Sequence, residues 1–207
     1  SGMAAHGGSG VSFGVIEGLR ALRPEQPFEL VHRLDRDTSG VLVVAKKRAA
    51  LLELQALMRE GEDEEAPNKR YLTLLVGKMP QGTMTVDAPL LRSEQKGGNR
   101  MVRVDTAGKA STSHFKLLER RSGHSFCEVV IETGRTHQIR VHAEHLGHPV
   151  AGDDKYGDRE ANKRLAAQAG LKRLFLHAAA MSFELSGRPY VLNAPLADDL
   201  RAALDRL

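Results

Sequence analysis

From Arg70 to Gly134 one strand-like segment follows another, with turn residues and no helical-period stretch between them. "RYLTLLVG" reads as a strand. "GTMTVDAPLLRSEQKGGNRMVRVDTAGKASTSHFKLLER" breaks into short strands separated by Gly-containing turns, and "HSFCEVVIETG" is a further strand that stops at a glycine. Consecutive strands joined by short turns pair antiparallel, because a parallel pair needs a crossover of a dozen or more residues. An antiparallel meander is therefore expected here.

The flanks carry helices and further strands. Val15, Leu19 and Leu22 lie at helical spacing ahead of the stop at Arg23-Pro24, and Leu51, Leu54, Leu57 and Met58 mark an amphipathic helix in "RAALLELQALMRE". Ile139, Ala143 and Leu146 stand at i, i+4 and i+7 before Gly147, which predicts a capped helix with a basic face. "ADDLRAALDRL" closes the chain as a helix. "FELVHRL" and "GVLVVAKK" are expected strands on either side of a "DRDTSG" turn, the second buried on both faces. "RLFLHAAAMSFEL" and "YVLNAPL" predict a hairpin across a four-residue "SGRP" turn, and the acidic "GEDEEAPNK" a solvated linker. Strands come in clusters and do not alternate strictly with helices. The fold class is α+β, with a mixed, mainly antiparallel sheet and flanking helices, as one domain over residues 1–207.

Composition narrows the setting. With 41% hydrophobic residues and no Trp, the core must rest on Leu, Val, Ala and Met. A single cysteine, Cys127, excludes an internal disulfide and reads as a small buried thiol in a reducing compartment. No run approaches the ~18 apolar residues of a membrane span, and no basic-then-apolar signal opens the chain. A cytoplasmic monomer with no membrane association and no obligatory protein partner is expected. The net charge of +4 leans toward a polyanionic partner.

The charged motifs carry the chemistry. In "HRLDRDTSG" Asp35 ends a strand beside Arg33 and Arg36, and neighbouring cations keep a carboxylate ionised and ready as a nucleophile. Asp37, two residues on, is suited either to an acid/base pair with Asp35 or to bonding the turn's own amides. The alternative is a hairpin turn with a polar rim. "GRTHQIRVHAEH" brings His137, His142, His145 and His148 close in sequence, but their spacings do not make the i, i+4 pair of a helical zinc motif, so no metal is expected. Arg135 and Arg140, five apart, would point some 140° apart if both were helical. "HGGSG", His6 to Gly10, ahead of a helix, suits either a phosphate cradle or a flexible lead-in. Tyr71, flanked by Lys69 and Arg70, suits either the core or a stacked nucleobase.

Taken together and in this order, "HRLDRDTSG", "KRYLTLLVG", "GRTHQIRVHAEHLGHPVAGDDKYG" and "RLFLHA" resemble the ribosomal large-subunit branch of the pseudouridine synthases. The resemblance runs the length of the chain. It implies a cofactor-free isomerase that cleaves the N-glycosidic bond of a uridine in large-subunit (23S) ribosomal RNA, turns the uracil and rejoins it through C5. Asp35 matches the family's catalytic aspartate, Tyr71 the tyrosine that stacks on the flipped base, and Arg140 the basic residue paired with the aspartate. Arg33 matches an arginine that enters the RNA helix, and Leu174 and Leu176 would wall the uracil pocket. Arg135 and His137 complete the expected RNA-binding set. Relatives carry Lys-Pro just ahead of "SGMAAHGGSG" and, before that, an S4-like RNA-binding domain. The expectation is a catalytic domain whose upstream S4-like domain is absent from this chain. Two other readings are an RNA-binding module without turnover, opposed by Asp35, Tyr71 and Arg140 occurring together, and a metal-assisted hydrolase, opposed by the histidine spacing.

Overall fold

The computed structural model describes residues 2, 5, 14–59, 67–94 and 100–207; the possible phosphate cradle at His6–Gly10 and the acidic residues 61–66 lie outside them. In chain order the elements are α1 (Val15–Leu22), β1 (Glu29–Leu30), β2 (Ser39–Gly40), β3 (Val44–Ala45), α2 (Arg48–Arg59), β4 (Asn68–Leu75), β5 (Thr83–Asp87), β6 (Leu90–Glu94), β7 (Arg100–Val104), β8 (Thr112–Arg121), β9 (His124–Ile131), α3 (Gln138–His145), α4 (Arg159–Ala169), β10 (Leu176–Leu185), β11 (Arg188–Asn193) and α5 (Asp198–Asp205).

A seven-stranded sheet runs β11-β10-β4-β9-β8-β5, antiparallel throughout, with β2 added parallel to β10. The expected meander is there, except that β6 and β7 leave it to form a separate two-stranded hairpin. Because side chains alternate along a strand, each face of the sheet has its own core. Val129, Ile131, Leu176 and Tyr71 share one face with Ile139 and Ala143 of α3. Leu74, Phe126 and Phe175 turn to the other, where Leu165, Leu200 and Leu204 of α4 and α5 cover them. A bulge between Ala178 and Ala180 resets the alternation of β10, so Met181 and Phe183 point to the α3 side and pack with Leu51 and Leu54 of α2.

Four expectations change. "FELVHRL" and "GVLVVAKK" hold only the short strands β1, β2 and β3, and Val41 to Val44 are half-buried, because this segment folds over the sheet edge instead of lying in its middle. The β10–β11 hairpin turns on two residues, Ser186 and Gly187, with φ of 50° and 72°, the left-handed pair that suits strand twist. The basic face of α3 is not solvated: Gln138 to Ala143 are all buried. Finally, α4 answers a pattern the sequence reading passed over, Ala161, Leu165 and Ala169 on one face between an Asp158 cap, which accepts the Glu160 and Ala161 N–H groups, and Gly170.

Candidate active site

Asp35 opens a tight turn in which its carbonyl accepts the Thr38 N–H at 2.9 Å. Two devices fix this loop to the sheet. Gly40 and Val41 lie along β10, the Val41 N–H donating to the Ala178 carbonyl at 2.9 Å. Arg173 then reaches across, donating to the Asp37 carbonyl (3.1 Å) and Ser39 Oγ (3.2 Å) while Asp199 of α5 grips it at 2.6 and 2.8 Å. The loop therefore cannot shift without moving the central strands.

Arg140 approaches from α3. Its Nε and Nη2 each donate at 2.7 Å to the two oxygens of Asp153, a fully buried bidentate pair, and its remaining Nη1 donates to Asp35 Oδ2 at 3.2 Å. Burial alone would lower the Arg140 pKa, but hydrogen bonds and charge from Asp153, then the charge of Asp35, raise it. Burial works against the Asp153 carboxylate too, yet Arg140 and the N–H groups of Tyr156 and Lys155 hold its pKa below the ordinary value. Among the described residues nothing donates to Asp35 Oδ1, so one carboxylate oxygen is tethered and the other is free to react.

His137, just ahead of α3, has a left-handed backbone (φ 55°, ψ 19°), uncommon for a residue with a side chain. Its Nδ1 lies 2.8 Å from the Tyr156 hydroxyl, which also accepts the Val102 N–H at 3.0 Å. The other ring nitrogen, Nε2, lies 3.8 Å from Asp35 Oδ2. Tyr156 also puts its ring 5.1 Å from the Arg140 guanidinium carbon. Beneath these groups Gln138 Nε2 donates to Ser113 Oγ (3.0 Å), and Ser113 faces His142 Nδ1 (2.9 Å). His142 Nε2–H meets the Ala88 carbonyl at 2.9 Å. This buried chain pins α3 to β8 and so fixes where Arg140 points.

Asp35, Tyr71, Arg140, Arg33, Arg135, His137 and Leu176 all line one open cleft of about 1120 Å³. Its described walls carry six Lys or Arg residues and one carboxylate, Asp35. Tyr71 is half-buried on β4; burial, then the charge of Asp35, pushes its hydroxyl up to about 12, so it stays a phenol at neutral pH.

The family model described as RNA pseudouridylate synthase matches residues 1–145. Over its whole length the chain is 53% identical to ribosomal large subunit pseudouridine synthase C of Escherichia coli O157:H7. The chain belongs to the RNA pseudouridylate synthase family. It spans 65% of the length of that relative. Among solved structures, human RNA pseudouridylate synthase domain containing 1 has a TM-score of 0.74 at 28% identity, over 88% of this chain and 74% of that one. Human RNA pseudouridylate synthase domain containing 4 shares the fold, with a TM-score of 0.78 at 23% identity over 99% of this chain and 86% of that one.

Not every expected residue of this pseudouridylate synthase chain reaches the cleft. Leu174 is in the core behind it, packed with Val129 and Ile139, while Leu176 alone faces the opening. Arg135 and Arg140 do not diverge by 140°, because Arg135 precedes the helix; its Nε is held by the Ala110 carbonyl at 3.2 Å and both arginines line the cleft. The Asp37 carboxylate is 3.6 Å from Arg36 Nε and is not among the cleft's walls. The histidines separate, His142 into the buried chain and His148 onto the Val76 carbonyl at 3.0 Å; among the described residues no group of three His, Cys, Asp or Glu could hold a metal ion. Asp153 and Tyr156 went unremarked in the sequence, though "GDDKYG" follows the basic helix at a fixed short distance.

Proposed function

We propose that this chain isomerises specific uridines of large-subunit (23S) ribosomal RNA to pseudouridine, acting in the cytoplasm as a monomeric catalytic domain without a cofactor, with Asp35 as its catalytic carboxylate. The observation that carries the reading is one carboxylate, half tethered by Arg140 at 3.2 Å, in a cleft whose described walls also carry six Lys or Arg residues. A closely related protein bears the name of a large-subunit pseudouridine synthase, which supports the choice of RNA.

The reaction breaks the N1–C1′ bond, forms C5–C1′, removes the C5 proton and returns one proton to N1. Atoms and oxidation level are conserved, so no co-substrate enters the balance. The Asp35 carboxylate acts at the ribose, by adding to C1′ through its free oxygen or by taking a ribose proton to leave a glycal-like intermediate. Arg140 keeps the tethered oxygen in place. Tyr71, as a phenol, offers its ring for uracil to stack on as the base turns, and Leu176 closes the far wall. Arg33, exposed at the rim, fills the stack the uridine leaves. Extrusion of the nucleotide costs a few kcal/mol, which contacts between phosphates and Arg135 and its neighbours offset.

Asp35→Asn is expected to lower turnover by about three to four orders of magnitude while RNA affinity and thermal stability stay near those of the parent. Tritium release from [5-³H]uridine-labelled, unmodified large-subunit transcript measures it, and a fully active variant would sink the assignment.

A further inference from the structure

Lys69 is a buried cation of the cleft that has no hydrogen-bond or ion-pair partner among the described residues. Only 8% of the residue is exposed, yet no described carboxylate or carbonyl holds its ammonium. It stands on β4 two residues before Tyr71, so both side chains leave the same face of the sheet. Ile131 of β9 and Met181 of β10 lie opposite it and offer no charge.

Nearby groups sharpen the imbalance. Arg135 adds a second positive charge, which together with burial lowers the Lys69 pKa. His32 cannot serve as an anion. It accepts the Val43 N–H through Nε2 at 3.0 Å, and burial and then Lys69 push its pKa down to about 4, so it is neutral. Gly134, before Arg135, lies beside it: a Cβ there would stand 3.5 Å from Lys69 Nζ, in ordinary contact.

A buried charge without a counter-ion is costly, and chains retain one where a ligand supplies the opposite charge. Two cations side by side call for a full anion; a neutral uracil carbonyl would leave them repelling each other. One ammonium beside one guanidinium suits the two non-bridging oxygens of a phosphodiester. We propose that Lys69 and Arg135 together form a site for one backbone phosphate of the RNA strand whose uridine enters the cleft. The inference rests on the RNA reading above and adds to it a binding residue and its ligand group.

The test compares the parent chain with Lys69→Met, using fluorescence anisotropy on a labelled, unmodified large-subunit rRNA transcript fragment across a salt series. The variant should bind about tenfold or more weakly at low salt, and its log K against log salt slope should be shallower by roughly 0.7 to 0.9, the share of one phosphate contact. Its melting temperature in phosphate-free buffer should equal or exceed the parent's, because an uncompensated buried charge has gone. Inorganic phosphate should raise the parent's melting temperature more than the variant's. An unchanged salt slope with reduced turnover would assign Lys69 to the base and overturn the proposal. So would a variant that melts well below the parent, the mark of a structural lysine. A parent chain that binds no RNA at all would instead remove the RNA reading, and this inference with it.

Discussion

Arg140 hydrogen-bonds two carboxylates, with Asp154 Oδ1 standing 3.6 Å from its Nη2, and the two bonded partners are not equivalent. Asp153 takes two short bonds at 2.7 Å and backbone N–H groups besides, while Asp35 takes one at 3.2 Å. The first pair is scaffold; the second leaves a carboxylate that can exchange its tether for substrate. The motif named Asp35 and Arg140 but not Asp153 or Tyr156, since what marks those two is a contact made only once α3 is folded. Lys69 entered the sequence analysis only as a cation flanking Tyr71 at the end of an acidic run, and only the register of β4 shows that it turns inward. His32 gives a prediction at this scale. Its pKa falls from 6.5 unfolded to about 4 folded, so between these values the unfolded chain binds more protons and stability declines as pH drops; above 6.5 the effect is flat. Burial lowers His142 and His177 in the same direction. His32→Gln, which retains an acceptor for the Val43 N–H, should remove about 2 kcal/mol of the stability lost between pH 6.5 and 4, read from urea unfolding at each pH. An identical pH profile in the variant would refute this.

Among the elements, one of the three two-residue strands bears directly on the site. β2 is two residues long, yet it locks the Asp35 turn to the strand that carries Leu176. Gly40 makes the contact possible: its φ is 111°, and a Cβ there would fall 2.1 Å from the Ala178 carbonyl oxygen. Gly40→Ala should therefore cost at least about 2 kcal/mol by urea unfolding and lower turnover as well, because the turn must lift off β10. Gly82, with φ of 97° and nothing within 4 Å, supplies the control; Gly82→Ala should cost about 1 kcal/mol of backbone strain and leave turnover intact. Equal effects at the two positions would show that backbone conformation, not the approach to β10, matters. Periodicity made α1, α2, α3, α5 and the antiparallel strands legible, because each buries a repeating face. It could not reveal β2, whose pairing spans 138 residues and leaves no local pattern, nor the breakup of "GVLVVAKK", where an apolar run reads alike in a central strand and in an edge segment under a helix.

For the whole molecule, the modest net charge of +4 conceals how that charge is placed. Many surface cations are balanced locally, as Arg70 with Glu128, Arg103 with Asp105 and Lys163 with Glu160 are. The cleft gathers six Lys and Arg residues on its described walls, where Asp35 is the one carboxylate, and β4, β9, α3 and the Asp35 turn each contribute to that wall. Composition averages over such an arrangement, which is why net charge leans only weakly toward a polyanion. A field of this kind acts on the strand's phosphates before any base is selected. If about four of the six cations meet phosphates of an unpaired strand, log K should fall with log salt at a slope near −3, and raising salt from roughly 50 to 200 mM should weaken binding about 50-fold. Asp35→Asn should leave this slope unchanged, since it alters no cation. Titrating the labelled transcript at four or five salt concentrations measures it. A loss of less than about threefold over that range would mean that the cleft's charge does not face the RNA backbone.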